Sequence, residues 1–224
     1  MQSHLPQSCL VCGTRVVGAL LCPVCAEHLP RLPAERCPQC ALPSPGGALC
    51  GRCLKHPPAF QATVVRHVYG PPLDGLVRDF KYRGQLALAD FFADTLAEEL
   101  AGRALPDLIL PMPLHESRLA ERGFNQAGEI ARRLAPRLAM AWDATACRRL
   151  RPTPPQAGLD LKARRRNLRG VFRCDLDLTG KRVALLDDVM TTGASLDELA
   201  REARRAGAVE ISAWVVARTL ARGD

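Results

Sequence analysis

Two adjacent carboxylates, Asp187 and Asp188, stand between the apolar run Val183 to Leu186 and the small, hydroxyl-rich turn Thr191-Thr192-Gly193-Ala194-Ser195. Carboxylates accept hydrogen bonds from sugar hydroxyls, and a turn of this composition offers a phosphate several backbone N–H groups and three hydroxyls. The stretch therefore reads as a phosphate cradle with a pair of sugar ligands beside it. Leu196, Leu199, Ala200 and Ala203 recur at helical spacing behind the turn. A monophosphate would then lie at a helix N-terminus, where unpaired N–H groups and the helix dipole both favour an anion. Val183 to Leu186 shows no polar alternation and follows Gly180-Lys181-Arg182, which suits a parallel strand buried on both faces, with the acids at its C-terminal end. Without a ligand, the same residues make a strand, an Asp turn and an N-capped helix.

The complete pattern resembles the phosphoribosyl pyrophosphate motif of the type I phosphoribosyltransferases. The resemblance implies that Asp187 and Asp188 hold the two ribose hydroxyls and that Thr191, Thr192, Gly193, Ala194 and Ser195 bind the 5-phosphate. Purine-salvage members often carry an acid where this chain has Thr191, a departure that speaks against a purine acceptor.

A second kind of chemistry lies near the N-terminus. Four Cys-x-x-Cys pairs stand at Cys9/Cys12, Cys22/Cys25, Cys37/Cys40 and Cys50/Cys53, with nine residues between the pairs of each couple and a 28-residue repeat. Each pair forms a knuckle that aims two thiolates at one ion, and two knuckles complete a closed tetrahedral sulfur shell, the mark of structural zinc. Sequential pairing gives one zinc on Cys9, Cys12, Cys22 and Cys25 and a second on Cys37, Cys40, Cys50 and Cys53. Interleaved pairing satisfies the same spacing. His28 and His56 lie close to knuckles and are read as surface residues, and Cys147 and Cys174 as ordinary core or strand-end residues. The module has few large apolar residues, so metal must supply the stability that its burial does not. Its role is either to bind a partner or to cap the domain that follows.

The elements that must position these groups follow from periodicity. Pro57-Pro58 marks a linker, which divides a double zinc ribbon at residues 1–57 from a domain at 58–224. Ala62 to Val68 reads as an entering strand; Leu73, Leu76, Val77 and Phe80 form one face of a short helix that ends near Lys81-Tyr82-Arg83-Gly84, a basic turn able to contact phosphate. Leu88, Phe92, Leu96 and Leu100 continue on a second helix, and Leu108 to Leu110 form a buried strand. That strand runs into Pro111-Met112-Pro113-Leu114-His115, where two prolines stiffen an exposed loop. The loop has the position of the pyrophosphate loop of phosphoribosyltransferases, and its N–H groups, with His115 and Arg118, would face pyrophosphate. Gly123 breaks the next segment, and Asn125 is placed to cap a helix with Ala127, Ile130, Ala131, Leu134 and Leu138 on its apolar face. Arg122 and Asn125 are assigned to the site lining. Cys147 to Phe172 reads as a basic, proline-containing loop that either folds over a bound pyrophosphate as a lid or forms a solvated face.

Over nearly its whole length the chain resembles the ComF competence proteins, a double zinc ribbon followed by a type I phosphoribosyltransferase-like domain. The matching elements are the four knuckles, Phe80 to Gly84, Pro111 to His115, Arg122-Gly-Phe-Asn-Gln126, Gln156 to Leu159 with Arg165 to Asn167, and the Asp187-Asp188 motif. The resemblance implies an α/β fold, a parallel sheet with flanking helices behind the zinc module, and a role in uptake or processing of transforming DNA. It also implies a ligand, phosphoribosyl pyrophosphate, with magnesium carried largely by the substrate. Lys81, Met112 to His115, Arg118, Arg122, Asn125 and Arg165 join the acids and the Thr191 turn as its contacts. With 224 residues, a net charge of +8, no apolar run of membrane-spanning length and no apolar leader in the first nine residues, the expected compartment is the cytoplasm. The charge suits a pyrophosphorylated substrate or single-stranded DNA alike. Two readings therefore stand: a transferase of phosphoribosyl to an unknown acceptor, or a non-catalytic module that binds DNA or DNA-processing proteins.

Overall fold

The apolar runs between residues 62 and 218 assemble into one five-stranded sheet. In the computed structural model, which describes residues 6–152 and 167–220, its order is β3(Ala62–Val68), β9(Glu210–Arg218), β8(Arg182–Met190), β4(Leu108–Pro111) and β5(Ala141–Trp142), all parallel. Burial on both faces explains why Val183 to Leu186 and Val215 to Ala217 carry no polar alternation. The helices α3(Leu73–Tyr82), α4(Leu88–Leu100) and α6(Gln126–Arg137) turn the expected faces inward: Leu76 and Phe80, Phe92 and Leu96, Ile130 and Leu134 are all buried. Leu196, Leu199, Ala200 and Ala203 do the same on α7(Ala194–Arg205).

Strand β8 runs further than expected. The acids lie inside it, because β9 offers partners along the whole length: Asp187 is paired with Val215 and Met190 with Arg218. A second difference concerns the segment read as a loop from Cys147 to Phe172. Its ends are strands, β6(Cys147–Arg149) and β7(Phe172–Cys174), which pair antiparallel. Three residues are too few for an alternation to register in sequence. Gln156 to Leu159 and Arg165, assigned to the lid, lie outside the described residues.

The zinc module comprises β1(Pro6–Ser8) paired with β2(Arg15–Val17), α1(Pro23–Glu27) and α2(Gly51–Lys55). It seals the otherwise open β3 edge: Leu32 N–H donates to Arg66 O, Val68 N–H to Pro30 O and Thr63 N–H to Pro38 O. Leu21, Leu29 and Leu32 of the module join the same apolar core as the sheet. Among the described residues no helix is long and apolar enough to cross a membrane.

Candidate functional site

The chain leaves β4 outward to β5 but leaves β8 in the opposite direction to β9, which puts a topological switch point between β4 and β8. A crevice opens beyond the carboxyl ends of strands at such a point. Here it is a small open cleft lined by Asp187, Val189 and Met190 through Leu196. The two halves of the motif thus meet: Asp187 and the Thr191–Ser195 turn share one wall. Gly193 makes the turn possible, since its φ of 80° lies in the left-handed region and a Cβ there would sit 2.7 Å from Met190 Cε.

The two acids are not equivalent. Neighbouring residues of a strand point to opposite faces. Asp187 is half-buried on the cleft wall, and its Oδ1 accepts the Asp188 N–H at 2.9 Å. Asp188 is buried, and its Oδ2 lies 2.7 Å from Lys81 Nζ, the penultimate residue of α3. Burial opposes the Lys81 charge, but the Asp188 and Asp187 carboxylates hold the ammonium protonated. Burial and the Asp188 charge push the Asp187 carboxyl up to about 7, against the pull of Lys81.

Around this pair the remaining assigned residues fall into place unequally. Met112 N–H donates to Leu186 O at 2.8 Å, so the loop Met112–His115 starts beside the acids; Met112 and Pro113 are buried, Leu114 and His115 partly so. His115 caps α5(Glu116–Arg122), accepting the Ser117 N–H at 3.2 Å. Gly123, at φ 79°, ends that helix. Asn125 caps α6 by accepting the Gly128 N–H, and its Nδ2 donates to Met112 O at 3.1 Å, which ties the loop to α6. Arg122 donates to Gln126 Oε1 at 2.7 Å and lies 5.2 Å over the Tyr82 ring. Sequence reasoning counted Arg149 only within the basic run from Cys147 to Phe172. Arg149 stacks 5.5 Å above Phe172 and interacts electrostatically with both Arg118 and Asp187, so the β6–β7 hairpin brings a cation toward Asp187. The charge run from Arg148 to Arg151 hid it, because the register that singles out Arg149 is visible only in the pairing.

The cysteines form two groups, Cys9-Cys12-Cys22-Cys25 and Cys37-Cys40-Cys50-Cys53, with all four sulfurs of each within 4.8 Å of one another. Pairing is therefore sequential. A tetrahedron with Zn–S bonds of about 2.3 Å has S···S edges of about 3.8 Å. Cys12 and Cys22 Sγ are 3.8 Å apart, and Cys40 and Cys50 Sγ 3.6 Å, so the two sites fit two structural zinc ions. Backbone N–H groups of Cys22 and Cys25 donate to Cys9 and Cys22 sulfurs, which favours thiolates. His28 instead bonds Val24 O.

The second cluster touches the Thr191–Ser195 turn. Arg52, between Cys50 and Cys53 on α2, donates to Thr192 O at 2.6 Å. Arg218, 1% exposed at the end of β9, donates to Cys40 O at 2.9 Å, Met190 O at 3.0 Å, Thr219 O at 2.8 Å and Thr191 O. Two guanidinium groups thus bind carbonyls that would otherwise repel an anion, and both flank a sulfur cluster that stays net negative around a divalent ion. Burial pushes Arg218 down to about 10, against the pull of the Cys40 sulfur. A lone arginine ending an apolar strand was the sequence's one trace of this role.

Residues 1–54 match the family model described as the double zinc ribbon domain. The chain is 38% identical over 207 residues to "DNA utilization protein YhgH" of Salmonella typhimurium (strain LT2), covering 89% of this chain and 91% of that protein. It is 35% identical over 178 residues to "Competence protein F" of Haemophilus influenzae, covering 75% and 78%. Among solved structures, purine phosphoribosyltransferase from Pyrococcus horikoshii Ot3 aligns with a TM-score of 0.34 at 20% identity, over 61% of this chain and 83% of that one. With its two four-cysteine clusters, its parallel sheet and relatives matched over most of their length, the chain belongs to the competence protein F family.

Proposed function

We propose that the cleft at the β4/β8 switch point binds phosphoribosyl pyrophosphate with magnesium, and that the protein transfers its phosphoribosyl group to an acceptor during the use of incoming DNA. One observation carries the reading: Asp187 and the Thr191–Ser195 turn line a single cleft at the carboxyl ends of the central strands. In this reading the turn holds the 5-phosphate at the N-terminus of α7, and Asp187 accepts hydroxyl hydrogen bonds from the ribose. Asp188, buried and fixed by Lys81, braces the strand beneath Asp187. The loop Met112–His115, with Arg118, Arg122 and Arg149, receives the pyrophosphate, and Asn125 holds the loop in place. Hard carboxylate oxygens fit magnesium, which supplies charge neutralisation of the pyrophosphate when bound; with Lys81 on Asp188, Asp187 is the acid open to it. Displacement at the ribose C1 then rests on positioning and electrostatic stabilisation by these groups. The role in DNA utilisation follows the names of the relatives.

The second reading, a DNA- or protein-binding module without turnover, draws on the charge of +8 and on the relatives' association with DNA. Pyrophosphate release across a panel of nucleophilic acceptors, compared between the wild type and Asp187→Asn, separates the two. Release abolished by the substitution supports transfer. Absence of release, with DNA affinity that falls steeply with salt and is indifferent to Asp187→Asn, supports the binding module.

A further inference from the structure

Cys147 and Cys174 belong to neither zinc cluster, and among the described residues they belong to no other group of metal-ligating side chains. They are direct cross-strand partners in the β6–β7 hairpin, with their sulfurs 3.1 Å apart. The ladder bonds fix the kind of pair. Asp175 N–H donates to Ala146 O and Leu150 N–H to Val171 O, so Ala146/Asp175 and Leu150/Val171 are hydrogen-bonded pairs. Alternation along an antiparallel ladder then makes Cys147/Cys174 and Arg149/Phe172 non-hydrogen-bonded pairs. Such partners have Cα atoms about 4.5 Å apart, inside the window of about 4.4–6.8 Å that a disulfide spans. Bond formation needs rotation of two side chains and no backbone shift.

We infer that Cys147 and Cys174 form a dithiol site that reacts with low-molecular-weight disulfides and closes to a reversible cross-strand disulfide, fixing the hairpin that carries Arg149 toward Asp187. The two sulfurs divide the work. Cys147 is buried and donates its thiol hydrogen to Cys174, which is partly exposed. That hydrogen bond holds Cys174 below the usual thiol range against burial, and it raises Cys147 above that range with burial adding to the rise. Cys174 is accordingly the entering nucleophile. Its thiolate attacks one sulfur of the small disulfide, the S–S bond breaks, and one thiolate leaves. Cys147 then loses its proton to solvent and attacks Cys174 Sγ in the mixed disulfide, expelling the second small thiolate. Two electrons pass from the dithiol to the small disulfide, which ends as two thiols. Arg148 pairs across the hairpin with Asp175 at 2.7 Å and ties the strands together, while Arg173 holds Asp175 from its own strand at 2.7 Å. Phe172 and Arg149 form the next pair on the same face, two residues along each strand from the sulfurs.

The test uses the full-length, zinc-loaded chain, equilibrated in glutathione buffers from fully reduced to fully oxidised, acid-quenched, alkylated and mapped by mass spectrometry. A single disulfide linking Cys147 to Cys174, reversed by reductant, with zinc content unchanged, is the expected result. Both thiols alkylated in oxidised glutathione, by a protein that keeps its zinc and fold, would overturn it. In Cys147→Ser the glutathione adduct should persist on Cys174, and Cys174→Ser should take none on its remaining thiol; the reverse pattern refutes the assigned order. The link to Arg149 rests on the function proposed above. If reduced protein binds phosphoribosyl pyrophosphate, the oxidised form should differ from it in affinity, and equal affinities would refute the coupling. Disulfide mapping needs no ligand, so failure of the site and failure of the ligand reading are told apart.

Discussion

Replacing Arg218 with methionine removes one buried guanidinium and takes this donor from four carbonyl oxygens, those of Cys40, Met190, Thr191 and Thr219, of which Met190 O keeps the Thr219 N–H. Hydrogen bonds from a charged donor contribute roughly 1.5–3 kcal/mol each, but they share one group, and its desolvation offsets much of the sum. Leaving a buried acceptor unsatisfied costs about 1–3 kcal/mol per group, and with several carbonyls affected about 3 kcal/mol is the expected loss. For a chain of this size that corresponds to about 6–12 °C in Tm. The loss should be local as well as global. Thr191 and Thr192 carbonyls accept hydrogen bonds from Arg218 and Arg52 on the zinc side, so amides of the turn should exchange hydrogen faster in Arg218→Met, with those of α4 and α6 less affected. Thermal denaturation of zinc-loaded protein and hydrogen exchange by mass spectrometry read the two effects. A Tm within a degree or two of wild type, or exchange of the turn unchanged, would refute the idea that the second knuckle braces the phosphate turn.

Zinc removal from the second cluster by a chelator should loosen the same turn and weaken phosphoribosyl pyrophosphate binding even where the sheet stays folded; circular dichroism and hydrogen exchange on the apo protein check this. Lys81→Met leaves Asp188 buried and unpaired, and urea denaturation should show a loss of about 3–5 kcal/mol, partly restored by adding Asp188→Asn. His67 is 3% exposed against the zinc module, and its burial pushes it down from 6.5 to about 4. The unfolded chain therefore binds its proton first, and His67 stabilisation, complete above pH 6.5, is lost as pH falls toward 4, by about 3 kcal/mol in all. Asp187, raised to about 7, acts in the opposite sense, its contribution falling as pH rises from about 4 to 7, so the pH dependence of stability in His67→Gln must be compared with wild type.

Much of this was legible from residue order because the decisive features are local. The knuckles are repeats at fixed spacing, the motif is contiguous, and helix faces such as Leu73-Leu76-Val77-Phe80 follow from 3.6-residue periodicity. Caps were equally readable, since Asn125 and Gly123 act on residues three or four positions away. What escaped depends on contacts far apart in the chain. Arg52 and Thr192 are 140 residues apart, and Arg218 and Cys40 178. The facing of Cys147 and Cys174 rests on the register of two three-residue strands, and the division of labour between Asp187 and Asp188 on the continuation of β8 alongside β9. Sequence treated the acids as one pair of sugar ligands; strand geometry sends one to the cleft and the other to Lys81.

The central claim is that the cleft holds phosphoribosyl pyrophosphate through Asp187 and the Thr191 turn. Calorimetric titration of the zinc-loaded protein with phosphoribosyl pyrophosphate and magnesium, beside Asp187→Ala, tests it most directly. Saturable binding by the wild type, lost in the variant at unchanged fold and zinc content, is the predicted result. A folded, zinc-loaded wild type that does not bind, or a variant that binds as well, would contradict the account and leave the DNA- or protein-binding module in its place.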